Sequence, residues 1–291
     1  MHEIFHRFKA RRLRCFTQVL GLVLGVMLGG CQSSLVQQLN NNAHYQVSEV
    51  FGGPFRHLTV FKPGQGTADA SDVLHVYIEG DGRPWFRPDQ VAWDPTPKQA
   101  LMLDLMDYDT TPSLYLGRPC YFIRDDSACG PLWWTHQRYA PEVVASMNRV
   151  LDQWADAHGE LVLIGHSGGG TLAMLLAARR DDVRMVVTLA GNLDTRAWTE
   201  WHGYSPLEGS LNPAEEALPA HIEQWHVVGS ADQQVPAVLL QAHLESRKGV
   251  VLQVLDGVDH SCCWGVIWPE ILQEVVRKSG PALHRAGPVA D

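Results

Sequence analysis

The chain lacks the features that would tie it to nucleic acid, a metal or a nucleotide. Its 291 residues hold 23 Lys and Arg against 32 Asp and Glu, a formal net charge of −9. The first thirty residues take five of the bases (Arg7, Lys9, Arg11, Arg12, Arg14) and one acid (Glu3), leaving 18 basic against 31 acidic side chains. Binding a phosphate backbone needs clustered Lys and Arg, so no nucleic-acid partner is expected. There is no CxxC pair, no H-E-x-x-H and no EF-hand-type carboxylate loop, so no metal and no other cofactor is expected. The phosphate-cradling patterns G-x-G-x-x-G and G-x-x-x-x-G-K are also absent. No internal repeat and no second domain is visible. The one long apolar stretch, Cys15 to Leu28, has fourteen residues, short of the ~20 that span a bilayer.

That stretch reads instead as the apolar part of an export signal, with basic residues up to Arg14 before it. It ends in Leu28-Gly29-Gly30-Cys31, which resembles a bacterial lipobox. The resemblance implies cleavage before Cys31, lipidation of that cysteine and membrane attachment through the N-terminal lipid. Gln32 rather than Asp follows, which for a Gram-negative host favours the outer membrane of the cell envelope. An ordinary cleaved signal and an uncleaved anchor are the alternatives. The expected organisation is a signal peptide over 1–30, a polar tether over 31–44, one domain over 45–279 and a loose tail over 280–291. Export implies an oxidising compartment. Four cysteines remain there: Cys120, Cys129, Cys262 and Cys263. Cys120 paired with Cys129 is the leading expectation, worth ~2.5–3 kcal/mol on the chain-entropy account. For Cys262 and Cys263 a vicinal bridge, cross-pairing and free thiols stay open.

Apolar strand-like runs alternate with helical patterns through the domain. Strands are expected over 45–51, 56–61, 73–80, 113–117, 160–165, 183–191, 223–229 and 250–255. Helices are expected over 97–108, 137–158, 169–180, 235–246 and 265–279. Two opening strands followed by strand–helix units predict one α/β domain with a mostly parallel sheet of about eight strands. Residues 192–221 show no periodicity and read as a long irregular insert.

One turn carries chemistry. Gly165-His166-Ser167-Gly168-Gly169 sits between a strand-like run and a helix-forming run. That is the setting of a nucleophile elbow, where a sharp turn displays the serine and its neighbours must be small. A serine hydroxyl needs a base to take its proton. His260, on the loop after the last expected strand, is placed to be that base. Asp232, just past the strand over 223–229, is placed to orient it. Asp194 is the rival, while Asp259 lies too close in sequence to fold back onto the ring.

The order Ser167, Asp232, His260 on alternating strands and helices resembles the α/β-hydrolase superfamily. The likeness runs from about Tyr45 to Ser279. The stretch "NLDTRAWTEWHGYSPLEGSLNP" and the "HSCCW" turn are similar to those of exported bacterial lipoproteins of this type. The resemblance implies an oxyanion hole made by the backbone amide of Gly168 and that of Asp81 or Gly82. Many relatives carry His-Gly at the second position; this chain has Glu79-Gly80-Asp81-Gly82. Acidic side chains there must turn away, pair with Arg83 or Arg118, or select a cationic substrate. Trp85, Trp133, Trp134, Trp198 and Trp201 are candidates to line a substrate pocket. The implied activity is hydrolysis of a small acyl ester, carboxylesterase-like or lipase-like. A peptidase, amidase or acyltransferase on the same triad is the alternative, as is a non-catalytic binding module. The oligomeric state is not legible.

Overall fold

The computed structural model describes residues 41–65, 73–123, 125–244 and 249–279, with Val36 and Leu39. The signal over 1–30, Cys31 and the tail over 280–291 lie outside the described residues. Eight strands form the main sheet: β1 (Gln46–Phe51), β2 (Arg56–Lys62), β3 (Val73–Ile78), β6 (Ser113–Leu116), β7 (Glu160–His166), β8 (Val183–Leu189), β9 (Glu223–Gly229) and β10 (Val250–Leu255). Two short strands, β4 (Trp85–Arg87) and β5 (Gln90–Val91), make a separate antiparallel hairpin. The sheet order is β1-β2-β6-β3-β7-β8-β9-β10. β2 pairs antiparallel with both neighbours, and every pairing from β6 to β10 is parallel. This is the mostly parallel eight-strand sheet expected from the sequence.

The central strands explain themselves. All six residues of β3 are buried, and so are all but the first of β7. Parallel strands covered on both faces read as near-continuous apolar runs, as VLHVYI, broken only by His75, and LVLIG do. The edge strand β1 has no buried residue, each of its positions being exposed or part-exposed, as suits a strand at the rim of the sheet. Six helices flank the sheet: α1 (Leu101–Met106), α2 (Pro141–His158), α3 (Gly168–Ala177), α4 (Thr195–His202), α5 (Ala237–Leu244) and α6 (Trp264–Ser279). In α2, Val143, Val144, Met147, Val150 and Leu151 are buried. Their i, i+3, i+4 spacing lays one stripe on the core, each side chain contributing about 1.5–3 kcal/mol.

Most boundaries fall within a few residues of expectation, and three departures have a plain physical reading. The helix expected from Gln137 begins at Pro141, because proline pushes the preceding Ala140 into the extended region (φ −60°, ψ 155°) and is itself suited to the first helical position. The helix expected over 97–108 forms only over Leu101–Met106, with Ala100 non-helical at φ −98°, ψ 86°. The insert at 192–221 is not irregular throughout, since it holds α4. Asp194 caps that helix by accepting from the amides of Arg196 and Ala197, and Gly203 ends it in the left-handed region (φ 66°). Among the described residues no helix is long and apolar enough to cross a membrane.

Candidate active site

The parallel strands all point their C-terminal ends to one edge, and the candidate side chains sit on the loops leaving that edge. Between β7 and α3 the chain turns at Ser167, which takes φ 53° and ψ −122°, a strained conformation for a non-glycine residue. Close approach on three sides permits the turn only with glycines. A Cβ on Gly165 would lie 2.3 Å from the Gly169 carbonyl oxygen, and one on Gly169 would lie 2.1 Å from that of Ile78. Ser167 is thereby left half-buried at the head of α3 rather than packed into the core.

His260 reaches Ser167 from the loop after β10. Its Nε2 is 3.0 Å from Ser167 Oγ and its Nδ1 is 2.8 Å from Asp232 Oδ2. The carboxylate accepts from Nδ1–H, so Nε2 carries the lone pair that faces the serine hydroxyl. Asp232 is itself fixed: its other oxygen accepts from the amides of Gln234 (2.8 Å) and Val235 (2.7 Å), and its side chain is fully buried. The structure therefore brings together Ser167, His260 and Asp232, residues 65 and 28 apart in sequence order. Asp194 is committed to capping α4 and to Asn212 Nδ2. Asp259 accepts from the amides of Ser261 and Cys262 and organises the turn beyond His260.

Two side chains that sequence reasoning passed over hold His260 in place. His166 Nε2–H and Trp264 Nε1–H both donate to the His260 carbonyl, at 2.9 and 3.0 Å. The His166 ring also packs 4.9 Å from the His260 ring. Burial, helped by the neighbouring His260, lowers the His166 pKa to about 4, so this ring is neutral at pH 7. A second buried pair is a decoy. His57 Nδ1–H donates to the Gly117 carbonyl and His57 Nε2 accepts from Ser146 Oγ, with no carboxylate on the ring. In the same way Asp109 takes hydrogen bonds from His75 and Tyr77, all fully buried, so neither group is open to a substrate.

The acidic pair on the loop after β3 divides. Glu79 points away, accepting from the amides of Gly80 (3.2 Å) and Met102 (3.0 Å), and burial pushes its pKa up to about 7. Asp81 stays beside the elbow, where Arg118, Arg138 (2.8 Å) and Tyr139 (2.9 and 2.7 Å) all donate to its carboxylate. Burial alone would raise the Asp81 pKa; the two guanidiniums outweigh it and hold the group far below the usual carboxylate range. Of the two arginines offered as partners, Arg118 takes the role. Arg83 instead lies over the Phe86 ring. Arg138 and Tyr139 are 57 and 58 residues from Asp81, and nothing local in the sequence announces them.

Four of the five tryptophans have packing duties in the surrounding loops. Trp133 donates to the Ala128 carbonyl and meets Phe55 edge-on. Trp134 and Trp198 are buried and donate to the carbonyls of Ala92 and Gln234. Trp85 meets His136 edge-on at 6.1 Å, and Trp201 is exposed on α4. Disulfides join Cys120 to Cys129 and Cys262 to Cys263. Among the described residues no group of three His, Cys, Asp or Glu side chains is arranged to hold a metal ion.

No protein-family model matches the chain. Solved structures do. The α/β serine hydrolase XC6422 of Xanthomonas campestris, described as lacking a lid, superposes with a TM-score of 0.58 at 13% identity over 85% of this chain and 98% of its own. Est1E of Butyrivibrio proteoclasticus gives 0.56 at 12% identity, covering 80% and 98%. A puromycin-hydrolysing peptidase of Mycobacterium tuberculosis gives 0.61 at 11% identity over 85% of this chain and 41% of that longer protein. The chain has the fold of these α/β hydrolases.

Proposed function

We propose that the protein is a serine hydrolase that cleaves acyl esters at the bacterial cell envelope, held there by lipid on Cys31. The observation that carries the reading is the unbroken chain from Ser167 Oγ to His260 Nε2 (3.0 Å) and from His260 Nδ1 to the buried Asp232 (2.8 Å). Ser167 attacks the ester carbonyl as His260 takes its proton. Asp232 holds the imidazole in the required tautomer and stabilises its charged form. The amides of Gly168 and residue 81 receive the oxyanion. His260 then returns the proton to the leaving alcohol, and water repeats the sequence on the acyl-enzyme to release the acid. A displayed serine hydroxyl backed by a base and a buried carboxylate supports acyl transfer, and a small acyl ester is the substrate class we assign to it. An amide substrate is the second reading, favoured by the likeness to a puromycin-hydrolysing peptidase.

The test is labelling and turnover together. Wild-type protein should react with a fluorophosphonate probe and hydrolyse p-nitrophenyl esters faster than the matching anilides. Ser167→Ala and His260→Ala should each lose on the order of 10³-fold or more in kcat while melting normally, and Ser167→Ala should not label. Asp232→Asn should lose roughly 10²–10⁴-fold. Asp194→Asn should keep its kcat and lose about 1 kcal/mol of stability with its helix cap. Near-normal turnover by Ser167→Ala would falsify the mechanism, and a dead Asp194→Asn beside an active Asp232→Asn would reassign the acid.

A further inference from the structure

We infer that Asp81 is the positioning residue of the oxyanion hole, its side chain clamped by Arg118, Arg138 and Tyr139 so that its own backbone amide faces the nucleophile opposite that of Gly168. The inference rests on the hydrolase reading above. It starts from the hydrogen bonds of one residue. The Asp81 carbonyl accepts from the Tyr121 hydroxyl at 3.0 Å. Its carboxylate accepts from Arg118, Arg138 and Tyr139. Its amide donates to no acceptor among the described residues. Nearby, Gly80 donates to the Glu79 carboxylate and Arg83 to the Pro95 carbonyl; Gly82, the rival donor, also donates to no acceptor among the described residues, but it is exposed and lies against the Pro95 carbonyl, where a Cβ on it would stand 2.1 Å from the oxygen. Buried or half-buried amides are normally paired, so an unpaired one beside a displayed serine marks a place kept for a ligand atom.

The loop lies against the elbow itself. A Cβ on Gly80 would stand 3.3 Å from Ser167 Cβ. A Cβ on Gly168 would stand 2.0 Å from Asp81 Oδ1 and 2.5 Å from the Tyr139 hydroxyl. The carboxylate thus fills the space that the side chain following the nucleophile would otherwise take, and it locks the two donor segments together. Arg118 and Arg138 are almost wholly buried, at 1% and 6% exposure. With Asp81 ionised the cluster carries one net positive charge, and Arg118 also packs over the rings of Tyr121 and Tyr139. The tyrosines and arginines come from the segment between β6 and α2, so this segment holds the loop after β3 in register with the elbow.

Two effects of the carboxylate oppose each other, which makes the inference testable by sign. As a charge, a carboxylate beside a developing oxyanion slows the reaction. Removing that charge in the isosteric Asp81→Asn should then speed it. As a clamp, the carboxylate aims a donor. Asp81→Asn replaces an acceptor oxygen with an amide that faces a guanidinium, the clamp slackens, and the reaction should slow. We expect the second. With p-nitrophenyl acetate, kcat of Asp81→Asn should fall about 10–100-fold, within the range for a misplaced oxyanion donor, and KM should stay within about twofold.

The second readout is an arylboronic acid. Ser167 Oγ bonds to boron, its proton passes to His260, and the resulting tetrahedral boronate puts an oxygen in the oxyanion site. Its affinity should fall by the same factor as kcat, a correspondence that mere loss of stability would not produce at temperatures well below the melt. Tyr139→Phe leaves every charge in place and loosens the same clamp, so it should show the same pattern at about fivefold. It decides the matter if Asp81→Asn does not fold. A kcat that is unchanged or higher in the folded variants, or boronate affinity that holds while kcat falls, overturns the positioning role and leaves the hydrolase reading standing. A wild-type protein that neither turns over esters nor binds boronate in a Ser167-dependent way overturns the hydrolase reading and this inference with it.

Discussion

At the scale of single residues, His166 shows how a motif position acquires a task that its neighbours in sequence do not reveal. Within the G-x-S-x-G pattern it is the free second letter, and its ring nitrogen is engaged elsewhere than at Ser167. Folding brings the carbonyl of His260, 94 residues on, within 2.9 Å of its Nε2. Since the acceptor is a carbonyl, Nε2 must hold the proton, and protonating the other nitrogen would place a charge in a buried site next to His260. The folded-state pKa, about 4, is below the ordinary 6.5, so the unfolded chain binds this proton more readily. The stabilisation is full above about pH 6.5 and drains away as pH falls toward 4. His166→Phe keeps the bulk and removes both the donor and the titration. It should lower kcat about tenfold, the equivalent of roughly one hydrogen bond, and flatten the decline of melting temperature between pH 6.5 and 4. Melts of both proteins across that window check this; an unchanged slope means that other groups set the acid limit. Ser167, by contrast, was readable from the sequence, because everything that displays it is local: a buried strand before it, glycines around it and a helix after it.

Among the elements, the turn from β10 into α6 is the most heavily braced. Asp259 accepts from two amides of the turn, Trp264 and His166 hold the His260 carbonyl, and Cys262 and Cys263 close a vicinal disulfide on the exposed side. Cys263 is held at φ 77°, a conformation that open-chain L-residues avoid. Opening this bridge with dithiothreitol adds two electrons and two protons and gives two thiols on a turn free to relax toward negative φ, carrying His260 with it. Reduction should therefore lower kcat severalfold, and a Cys262→Ser/Cys263→Ser double variant should sit at the reduced rate whether or not reductant is present. A Cys120→Ser/Cys129→Ser variant separates the other bridge. That loss should cost ~2.5–3 kcal/mol on the chain-entropy account, or on the order of 5–10 °C in melting temperature. A Cys262→Ser/Cys263→Ser variant with full kcat would show that the turn stands without its bridge. Legibility follows the same division. β3 and β7 are plain in the sequence because burial on both faces writes a near-continuous apolar run. α4 was not, because eight residues show too little periodicity even with Asp194 and Gly203 marking its ends.

For the whole molecule, the fold could be read from order and spacing, as could the three candidate residues that folding brings together, Ser167, Asp232 and His260, whereas the supports could not. The Asp81 clamp draws on residues 37 to 58 positions away, and contacts that distant follow from packing rather than from any local pattern. The described part of the chain, from residue 41 onward, contains Ser167, Asp232, His260 and every brace around them. Hydrolysis of a water-soluble ester by the proposed triad should then be independent of any membrane attachment. The proposed attachment at Cys31 rests on five basic residues, fourteen apolar ones and Leu28-Gly29-Gly30 before it. Cys31→Ala removes the thiol that would take the lipid. Expressed in a bacterial host, the variant should leave the membrane fraction for the soluble one or persist as an uncleaved precursor. The segment "SSLVQQLNNN" after Cys31 has three apolar residues in ten, Leu35, Val36 and Leu39, far short of a membrane span. Any released, cleaved variant should show wild-type kcat per mole on p-nitrophenyl acetate. Mass spectrometry of the wild-type N-terminus decides the chemistry directly: a diacylglyceryl mass on Cys31 is the expected result. A mature protein that starts elsewhere, or carries Cys31 unmodified, would remove the anchor while leaving the hydrolase chemistry to be judged on Ser167 alone.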